Sequence, residues 1–230
     1  MITAIVFDFD GVIADTEKLH LAAFRQALES LTGPDRRTAT SPDPLTLSEA
    51  EYYEKYLGFD DEGVFRILGA ERGVDLGDQR LRELVEEKGR AYERLVAGAR
   101  SILYPGIEDC IRRFHGTYPL AIASGAYADE IRAVLTPAGL LRYFETIVGA
   151  GDTPSGKPAP DPYLEAARRI NADPRRCLAI EDSRWGIQSA VAAGMTCIAV
   201  TTSYKAHELA GAVIVVPSVE RITLELVKDL

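Results

Sequence analysis

Residues 1–12 of the chain read MITAIVFDFDGV, and the fold can be worked out from this stretch onward. The apolar run that ends at Phe7 is typical of a strand buried on both faces. Two carboxylates one residue apart, Asp8 and Asp10, follow at once, and Gly11 comes next. Like charges at the end of a buried strand repel each other and lose hydration. A hard cation such as Mg²⁺ would offset both costs and would leave one carboxylate available as a nucleophile.

The composition is that of an ordinary globular protein, with 230 residues of which 47% are hydrophobic and 27% charged. A net charge of −9 argues against nucleic acid or a membrane surface as a partner. No apolar run approaches the length of a membrane span. The three cysteines are widely spaced and fit a reducing compartment, so we expect a cytoplasmic protein without disulfides. The oligomeric state does not follow from the sequence, which is compatible with a monomer.

Short apolar runs alternate with helical segments in the second half of the chain. The runs cover residues 120–123, 146–148, 177–180, 197–200 and 213–216, and helices are predicted to begin near Tyr127, Pro160, Arg184 and Ala206. Buried strands that alternate with helices predict an α/β fold with a doubly wound parallel sheet. Ligands of such sheets bind beyond the carboxyl ends of the strands, at a topological switch point.

The residues between the first strand and this alternating part have helical spacing only. Helices are predicted over residues 17–31, from a capping box at Ser48 onward, and over 61–71 and 78–96, whereas residues 33–44 read as a polar loop. We interpret residues 1–15 and 101–230 as an α/β core domain and residues 16–100 as a helical domain inserted into it. An insertion at this point begins and ends beside Asp8 and Asp10 and is expected to act as a lid.

Polar residues follow several of the predicted strands. Ser124 and Gly125 come after the second run, Lys157 follows the third, and Glu181 and Asp182 follow the fourth. Taken singly, these residues fit turns, a surface lysine and a helix cap, as an isolated Asp-x-Asp pair fits a solvated turn. Taken together, they supply oxygen ligands for Mg²⁺ and a positive charge for a phosphoryl group.

The ordered motifs resemble those of the haloacid dehalogenase superfamily. They are D-x-D-G-V at residues 8–12, a strand-end serine at Ser124, G-K-P-x-P-D at residues 156–161 and E-D-S at residues 181–183. The helical insert is similar to the small cap of the β-phosphoglucomutase-like and phosphoglycolate phosphatase-like subgroup. The resemblance implies a Rossmann-like core domain and a phosphoryl-transfer activity, because the dehalogenases that cleave carbon–halogen bonds lack an acid at the position of Asp10.

The resemblance also implies a role for each matching residue. Asp8 matches the nucleophile that becomes an aspartyl-phosphate, and Asp10 matches the acid/base that protonates the leaving group and activates water. Ser124, Gly125 and Lys157 match the groups that hold the phosphate. The implied Mg²⁺ ligands are Asp8, Asp10 and Asp182, with Glu181 as a direct ligand or one step removed from the metal.

The resemblance is weaker in the cap. His20 and Lys88 match cap residues that face the site in the mutase subgroup, although charged helical residues are more often solvated. Asp61 stands where mutases carry an arginine for the distal phosphate of the substrate; Arg66 and Arg72 are the next candidates for that arginine. An acid at this position favours a phosphatase over a mutase. Trp185 either lines the entrance of the site or packs its helix against the core.

Three functional hypotheses follow. The first is a Mg²⁺-dependent phosphatase of a small phosphorylated metabolite, a sugar phosphate or a phosphoglycolate-like compound. The second is a sugar-phosphate mutase on the same fold. The third is a phosphorylatable receiver-like signalling module, against which the helical insert and Asp10 both argue.

Overall fold

The computed structural model describes residues 1–29, 45–57, 59–99 and 102–230, and the predicted loop at residues 33–44 lies outside them. The chain divides into two compact units. The first, which we call the α/β unit, comprises Met1–Asp15 and Ser101–Leu230, and the second, the helical unit, comprises Thr16–Arg100. In the described part of the chain, no helix is both long and apolar enough to cross a membrane.

The α/β unit contains a six-stranded sheet in which every neighbouring pair is parallel. The strands are β1 (Ala4–Phe7), β2 (Leu120–Ala123), β3 (Thr146–Val148), β4 (Cys177–Glu181), β5 (Thr196–Val200) and β6 (Ile214–Val216). Their order across the sheet is β3-β2-β1-β4-β5-β6, with helices on both sides. The predicted doubly wound α/β fold is therefore confirmed.

Nine α-helices are found among the described residues. They are α1 (Glu17–Glu29), α2 (Glu49–Glu51), α3 (Asp61–Glu71), α4 (Gly77–Gly98), α5 (Ile107–Phe114), α6 (Ala128–Leu135), α7 (Asp161–Arg169), α8 (Arg184–Ala192) and α9 (Leu224–Lys228). The first four belong to the helical unit. A π-helical turn over Tyr52–Tyr56 continues α2, and the side chain of Ser48 caps that helix by accepting from the backbone N–H of Glu51 at 3.2 Å.

The centre of the sheet is its switch point. The first strand pairs with β2 on one side, through Ile5 opposite Leu120, and with β4 on the other, through Ile5 opposite Leu178. All four residues of β1 are buried, as the apolar sequence predicted. The order of the strands reverses at β1, so the carboxyl ends of β1, β2 and β4 open into a common crevice.

The helical unit is held together by α1 and α4, which pack against each other. Ala23, Ala91 and Tyr92 are buried in this contact, and Leu19 and Leu95 pack at its margin. The two alanines let the helix backbones come close, and the tyrosine ring fills the space beside them.

Several elements differ from the sequence prediction, and α9 is one that was not predicted. The helix expected near Ala206 is a single 3₁₀ turn, Ala206–Glu208, after which the chain reaches Gly211 with φ of 103°. The turn ends because the backbone leaves the helical region at Leu209, where ψ is 42°. The unpredicted α5 is amphipathic, with Ile107, Ile111 and Phe114 on its buried side.

Candidate active site

The predicted polar residues follow the carboxyl ends of the three central strands. Asp8 comes directly after β1, Ser124 directly after β2, and Glu181 is the last residue of β4. The backbone extends the sheet by one step at two of these points, because Asp8 N–H donates to Ile180 C=O at 2.9 Å and Ser124 N–H donates to Val148 C=O at 3.0 Å. These backbone hydrogen bonds fix the main chain from which the side chains of Asp8 and Ser124 extend at the switch point.

Three carboxylates meet here. Asp8, Glu181 and Asp182 are all buried, and one oxygen from each lies within 4.8 Å of the others. Burial raises the pKa of Asp8 well above its ordinary value, and the negative charge of Glu181 raises it further. Such a cluster fits the donor set of a hard divalent cation, which prefers carboxylate oxygens and would relieve their repulsion.

Lys157 supplies one positive charge to this cluster. Its Nζ lies 2.8 Å from Asp8 Oδ1 and 2.6 Å from Glu181 Oε1, and the side chain is almost completely buried. Burial alone would lower the pKa of Lys157, but Asp8 and Glu181 outweigh this effect and raise it above its ordinary value. The lysine stays protonated, so three carboxylates face one ammonium group and negative charge remains in excess.

Both carboxylate oxygens of Glu181 accept hydrogen bonds. Its Oε1 accepts from Lys157 Nζ and from Tyr163 OH, at 2.6 and 2.8 Å. Its Oε2 accepts from the backbone N–H groups of Asp182 and Ser183 and from Ser183 Oγ, at 3.0–3.1 Å. Since Ser183 is the N-cap of α8, the carboxylate also lies at the positive end of that helix.

Two glycines leave room for these acids. A Cβ atom on Gly11 would overlap the carboxylate of Asp182, and a Cβ atom on Gly186 would overlap that of Glu181. Gly11 also has φ of 81°, which favours glycine. Thr202 Oγ1 donates to Gly11 C=O at 2.5 Å and lies 3.4 Å from Asp182 Oδ2, so the segment after β5 helps to fix the same corner of the site.

Asp10 has a different environment from the other predicted metal ligands. Its carboxylate is not a member of the buried acid cluster; instead, Ser124 Oγ donates to Asp10 Oδ2 at 3.4 Å. Ser124 Oγ also accepts from the backbone N–H of Ala126 at 3.0 Å, in the half-buried turn at Gly125 that leads to α6. The serine thus links Asp10 to the start of that helix.

The two predicted cap residues lie inside the helical unit. His20 on α1 stacks on Tyr92 of α4, with ring centroids 4.2 Å apart. Lys88 on α4 is fully buried, and its Nζ lies 4.9 Å from the centre of the Tyr92 ring and 5.3 Å from that of Phe24. The alternative of a solvated helix face is wrong for both residues, because α1 and α4 pack through this region.

Asp61 and the neighbouring arginines are all paired within the helical unit. Asp61 Oδ1 lies 2.8 Å from Lys88 Nζ, so the lysine compensates the acid that the sequence placed at the mutase arginine position. Arg72 makes two contacts with Glu51, at 2.6 and 2.8 Å. Arg66 is exposed and lies 2.7 Å from Glu62.

Sequence reasoning missed two residues at the site. Tyr163, the third residue of α7, and Thr202, just after β5, both contact predicted acids. A tyrosine in an amphipathic helix carries no local sign of such a contact, so only the packing of α7 on the sheet reveals it. Trp185 is half-buried at the start of α8.

The fold and the acid cluster together define a class, the doubly wound α/β proteins with a candidate cation site at the switch point of the sheet. Residues 2–194 match the model of the haloacid dehalogenase-like hydrolases, and the chain belongs to this family. It is accordingly an enzyme of the phosphoric monoester hydrolase type, with phosphomutase activity as the alternative.

Known relatives include both kinds of enzyme. The fructose-1-phosphate phosphatase YqaB of Escherichia coli is 30% identical over 204 residues, which cover 84% of this chain and 94% of YqaB. The β-phosphoglucomutase of Bacillus subtilis is 29% identical over 227 residues, 98% of this chain and 94% of that enzyme. The crystal structure of CbbY from Rhodobacter sphaeroides with phosphate has a TM-score of 0.86 and 27% identity, with complete coverage of both chains. Another structure of CbbY contains xylulose-1,5-bisphosphate.

Proposed function

We propose that this protein is a Mg²⁺-dependent phosphatase that hydrolyses a small phosphorylated metabolite, a sugar phosphate above all, through an aspartyl-phosphate on Asp8. One observation carries the proposal: Lys157 bridges Asp8 and Glu181 beside Asp182, at the switch point of the sheet. A buried carboxylate held by an ammonium group is suited to attack phosphorus, provided that the charge of the phosphoryl oxygens is neutralised.

In the first half-reaction, a carboxylate oxygen of Asp8 attacks phosphorus and the bond between phosphorus and the ester oxygen breaks. Asp10 protonates the departing alkoxide, and its contact with Ser124 Oγ helps to orient the carboxyl group. Lys157 supplies positive charge to the phosphoryl oxygens, and the hydroxyl of Ser124 with the N–H groups of the Gly125 turn supplies hydrogen bonds.

In the second half-reaction, Asp10 is a carboxylate and removes a proton from water. The oxygen of that water attacks the phosphorus of the aspartyl-phosphate, and the bond to Asp8 breaks. Inorganic phosphate leaves, Asp8 is again a carboxylate, and Asp10 again carries a proton, so the cycle is balanced.

The buried acids fit a Mg²⁺ ion. Asp8 and Asp182 would hold it, and Asp10, three residues beyond the end of β1, would complete the protein side of the site. The resemblance allows Glu181 to be a direct ligand or to lie one step removed from the metal. Because both of its oxygens already accept hydrogen bonds from the protein, the second position is favoured. When bound, the ion neutralises charge on the acids and on the phosphoryl group.

The ion pairs of the helical unit favour water over a sugar hydroxyl as the acceptor. A mutase needs positive charge for the second phosphate of a bisphosphorylated intermediate. Lys88 pairs with Asp61, Arg72 with Glu51 and Arg66 with Glu62. Each candidate cation therefore already has a carboxylate beside it, which supports the phosphatase and weakens the mutase alternative.

The test is a phosphate-release screen over phosphorylated sugars, short acids and nucleotides, in Mg²⁺ and in EDTA. We expect release from sugar phosphates that EDTA abolishes and Mg²⁺ restores; full activity in EDTA would contradict the metal assignment. An assay with β-glucose 1-phosphate and a trace of glucose 1,6-bisphosphate shows whether water or a sugar hydroxyl accepts the phosphoryl group. Glucose 6-phosphate formed much faster than inorganic phosphate would establish the mutase instead.

A further inference from the structure

Tyr163 is a buried side chain at the site for which the proposed reaction has no use. It is fully buried near the start of α7, and its hydroxyl donates to Glu181 Oε1 at 2.8 Å. Its ring lies below Lys157, with Nζ 5.1 Å from the ring centre. One residue therefore contacts both the lysine and the acid that holds the lysine.

The hydrogen bonds of Glu181 show what the hydroxyl does. Lys157 Nζ and Tyr163 OH share Oε1, whereas backbone and side-chain donors of residues 182 and 183 occupy Oε2. A carboxylate oxygen that accepts from two donors holds each of them less strongly than it would hold one alone. The tyrosine thereby limits the pull of Glu181 on Lys157, whose other acceptor is Asp8.

We propose that Tyr163 is a positioning residue, whose hydroxyl keeps the ammonium group of Lys157 divided between Glu181 and Asp8. The inference rests on the proposed function, because it assumes that Lys157 serves phosphoryl transfer. Without the hydroxyl, Lys157 shifts toward Glu181 and away from the place where charge develops in the transition state. The ring contact is retained in phenylalanine, so the substitution Tyr163→Phe isolates the hydroxyl.

Tyr163 is well suited to be a permanent donor. Burial raises the pKa of its phenol well above the ordinary value, and the charge of Glu181 raises it further. A raised pKa favours the protonated hydroxyl, which is the form that donates to Glu181.

The helical unit offers a matched control. Tyr56 is also buried, its hydroxyl donates to Glu71 Oε2 at 2.7 Å, and Lys55 Nζ contacts the same oxygen at 2.9 Å. This set repeats the combination of tyrosine, glutamate and lysine outside the α/β unit. Tyr56→Phe removes the same kind of hydrogen bond without touching the proposed machinery.

The experiment is a double-mutant cycle, with p-nitrophenyl phosphate in saturating Mg²⁺ as the assay for wild type, Tyr163→Phe, Lys157→Met and the double variant. We expect Tyr163→Phe to lower kcat by about tenfold with KM changed by less than about threefold. In the Lys157→Met background the same substitution should cost less than about twofold, because the lysine through which it acts is gone. Tyr56→Phe should leave kcat unchanged.

The contrary outcomes are distinct. A kcat of Tyr163→Phe equal to that of wild type, or an equal loss in the presence and absence of Lys157, would overturn the positioning role. A wild-type enzyme that releases no phosphate from any ester would instead overturn the proposed function. Binding of inorganic phosphate, measured by calorimetry in Mg²⁺, gives a second readout: like KM, its Kd should change by less than about threefold in Tyr163→Phe and in Tyr56→Phe, and a large loss confined to Tyr163→Phe would overturn a role in the transition state.

Circular dichroism verifies that each variant is folded. If Tyr163→Phe does not fold, 3-fluorotyrosine at position 163 replaces it, because this analogue keeps the ring and the hydroxyl but is a stronger donor. A kcat changed by more than about twofold at constant KM supports the role of the hydroxyl, and an unchanged kcat contradicts it.

Discussion

Lys157 in the α/β unit and Lys88 in the helical unit are both buried, but their surroundings differ. Lys157 bridges two carboxylates and lies near a third, whereas Lys88 pairs with Asp61 and lies against the rings of Phe24 and Tyr92. Burial of an ammonium group destabilises the fold unless the group is paired with an acid, and contacts with aromatic faces stabilise it further. Around Lys157 the acids are in excess, so this cluster could hold a further cation.

Burial of a charge, as these two lysines show, does not by itself mark an active site. The pair of Lys88 and Asp61 joins α4 to α3 and has a structural explanation within one unit. The cluster around Lys157 lacks such an explanation, since three acids and one lysine leave a net negative charge away from water. We therefore propose that the cluster around Lys157 is the catalytic one. We expect substitution of Lys157 to affect activity and substitution of Lys88 to affect stability.

The largest loss of activity is expected from a substitution of Asp8 in the cluster around Lys157. Asp8→Asn removes the proposed nucleophile but keeps the shape of the side chain, so we expect kcat to fall by at least about 10⁴-fold. Phosphate release by the folded variant is the measurement, and trapping of a hydroxylamine-sensitive acyl-phosphate on wild-type Asp8 is the positive control. A variant that keeps more than a small fraction of the rate, after purification from contaminating phosphatase, would mean that another group attacks.

Lys157→Met should lower kcat by about 10³-fold, because a preorganised charge on the phosphoryl oxygens is lost. Lys88→Met should reduce kcat far less. The two variants are assayed side by side in saturating Mg²⁺, with kcat corrected for the folded fraction seen by circular dichroism. Equal losses in both would erase the distinction between the two lysines.

Stability should show the opposite order. Lys88→Met leaves Asp61 buried without the lysine, and we expect the free energy of unfolding to fall by about 3 kcal/mol. The double variant Lys88→Met with Asp61→Leu should recover most of this loss, since it removes both charges. Urea unfolding of the three proteins measures the effect; a double variant no more stable than Lys88→Met would show that the cost comes from packing.

A smaller effect concerns the acid cluster without metal. Because the pKa of Asp8 is raised in the folded state, the folded protein binds the Asp8 proton more tightly than the unfolded chain does. Ionisation of Asp8 therefore costs stability above its ordinary pKa of about 3.9, and the full cost is reached once the pH exceeds the raised value. In EDTA, Asp8→Asn should raise Tm by about 3 °C at about pH 8, and by less at about pH 5.

Mg²⁺ refines this last prediction, because a cation held by the acids should stabilise wild type more than Asp8→Asn. Thermal unfolding of both proteins in EDTA and in Mg²⁺ gives four values of Tm at each pH, which test it. If Asp8→Asn lowers Tm in EDTA at both pH values, then the hydrogen bond to Lys157 outweighs the repulsion among the acids.

Much of the fold and of the candidate site was predictable because the signals are local. The apolar run before Asp8, the alternation of strands and helices, and the polar residues after several strands are patterns within about ten residues. Since parallel strands expose their carboxyl ends at one edge, Asp8, Ser124 and Glu181 could be assigned to a common site from their positions in the sequence. The helix expected near Ala206 is a single 3₁₀ turn because the backbone leaves the helical region at Leu209, which the local pattern does not reveal.

The class of fold, the order of the motifs and the identity of the charged residues all follow from the amino-acid sequence. Which charges meet depends on the tertiary structure. Lys157 contacts Glu181 across 24 residues of sequence and Tyr163 contacts it across 18, and the pairing of Lys88 with Asp61 joins two helices. Such contacts require a particular strand order and helix packing, which bring together side chains that no local pattern relates. Two buried lysines therefore have different roles: Lys157 belongs to the proposed catalytic cluster of the α/β unit, and Lys88 forms an ion pair that packs the helical unit.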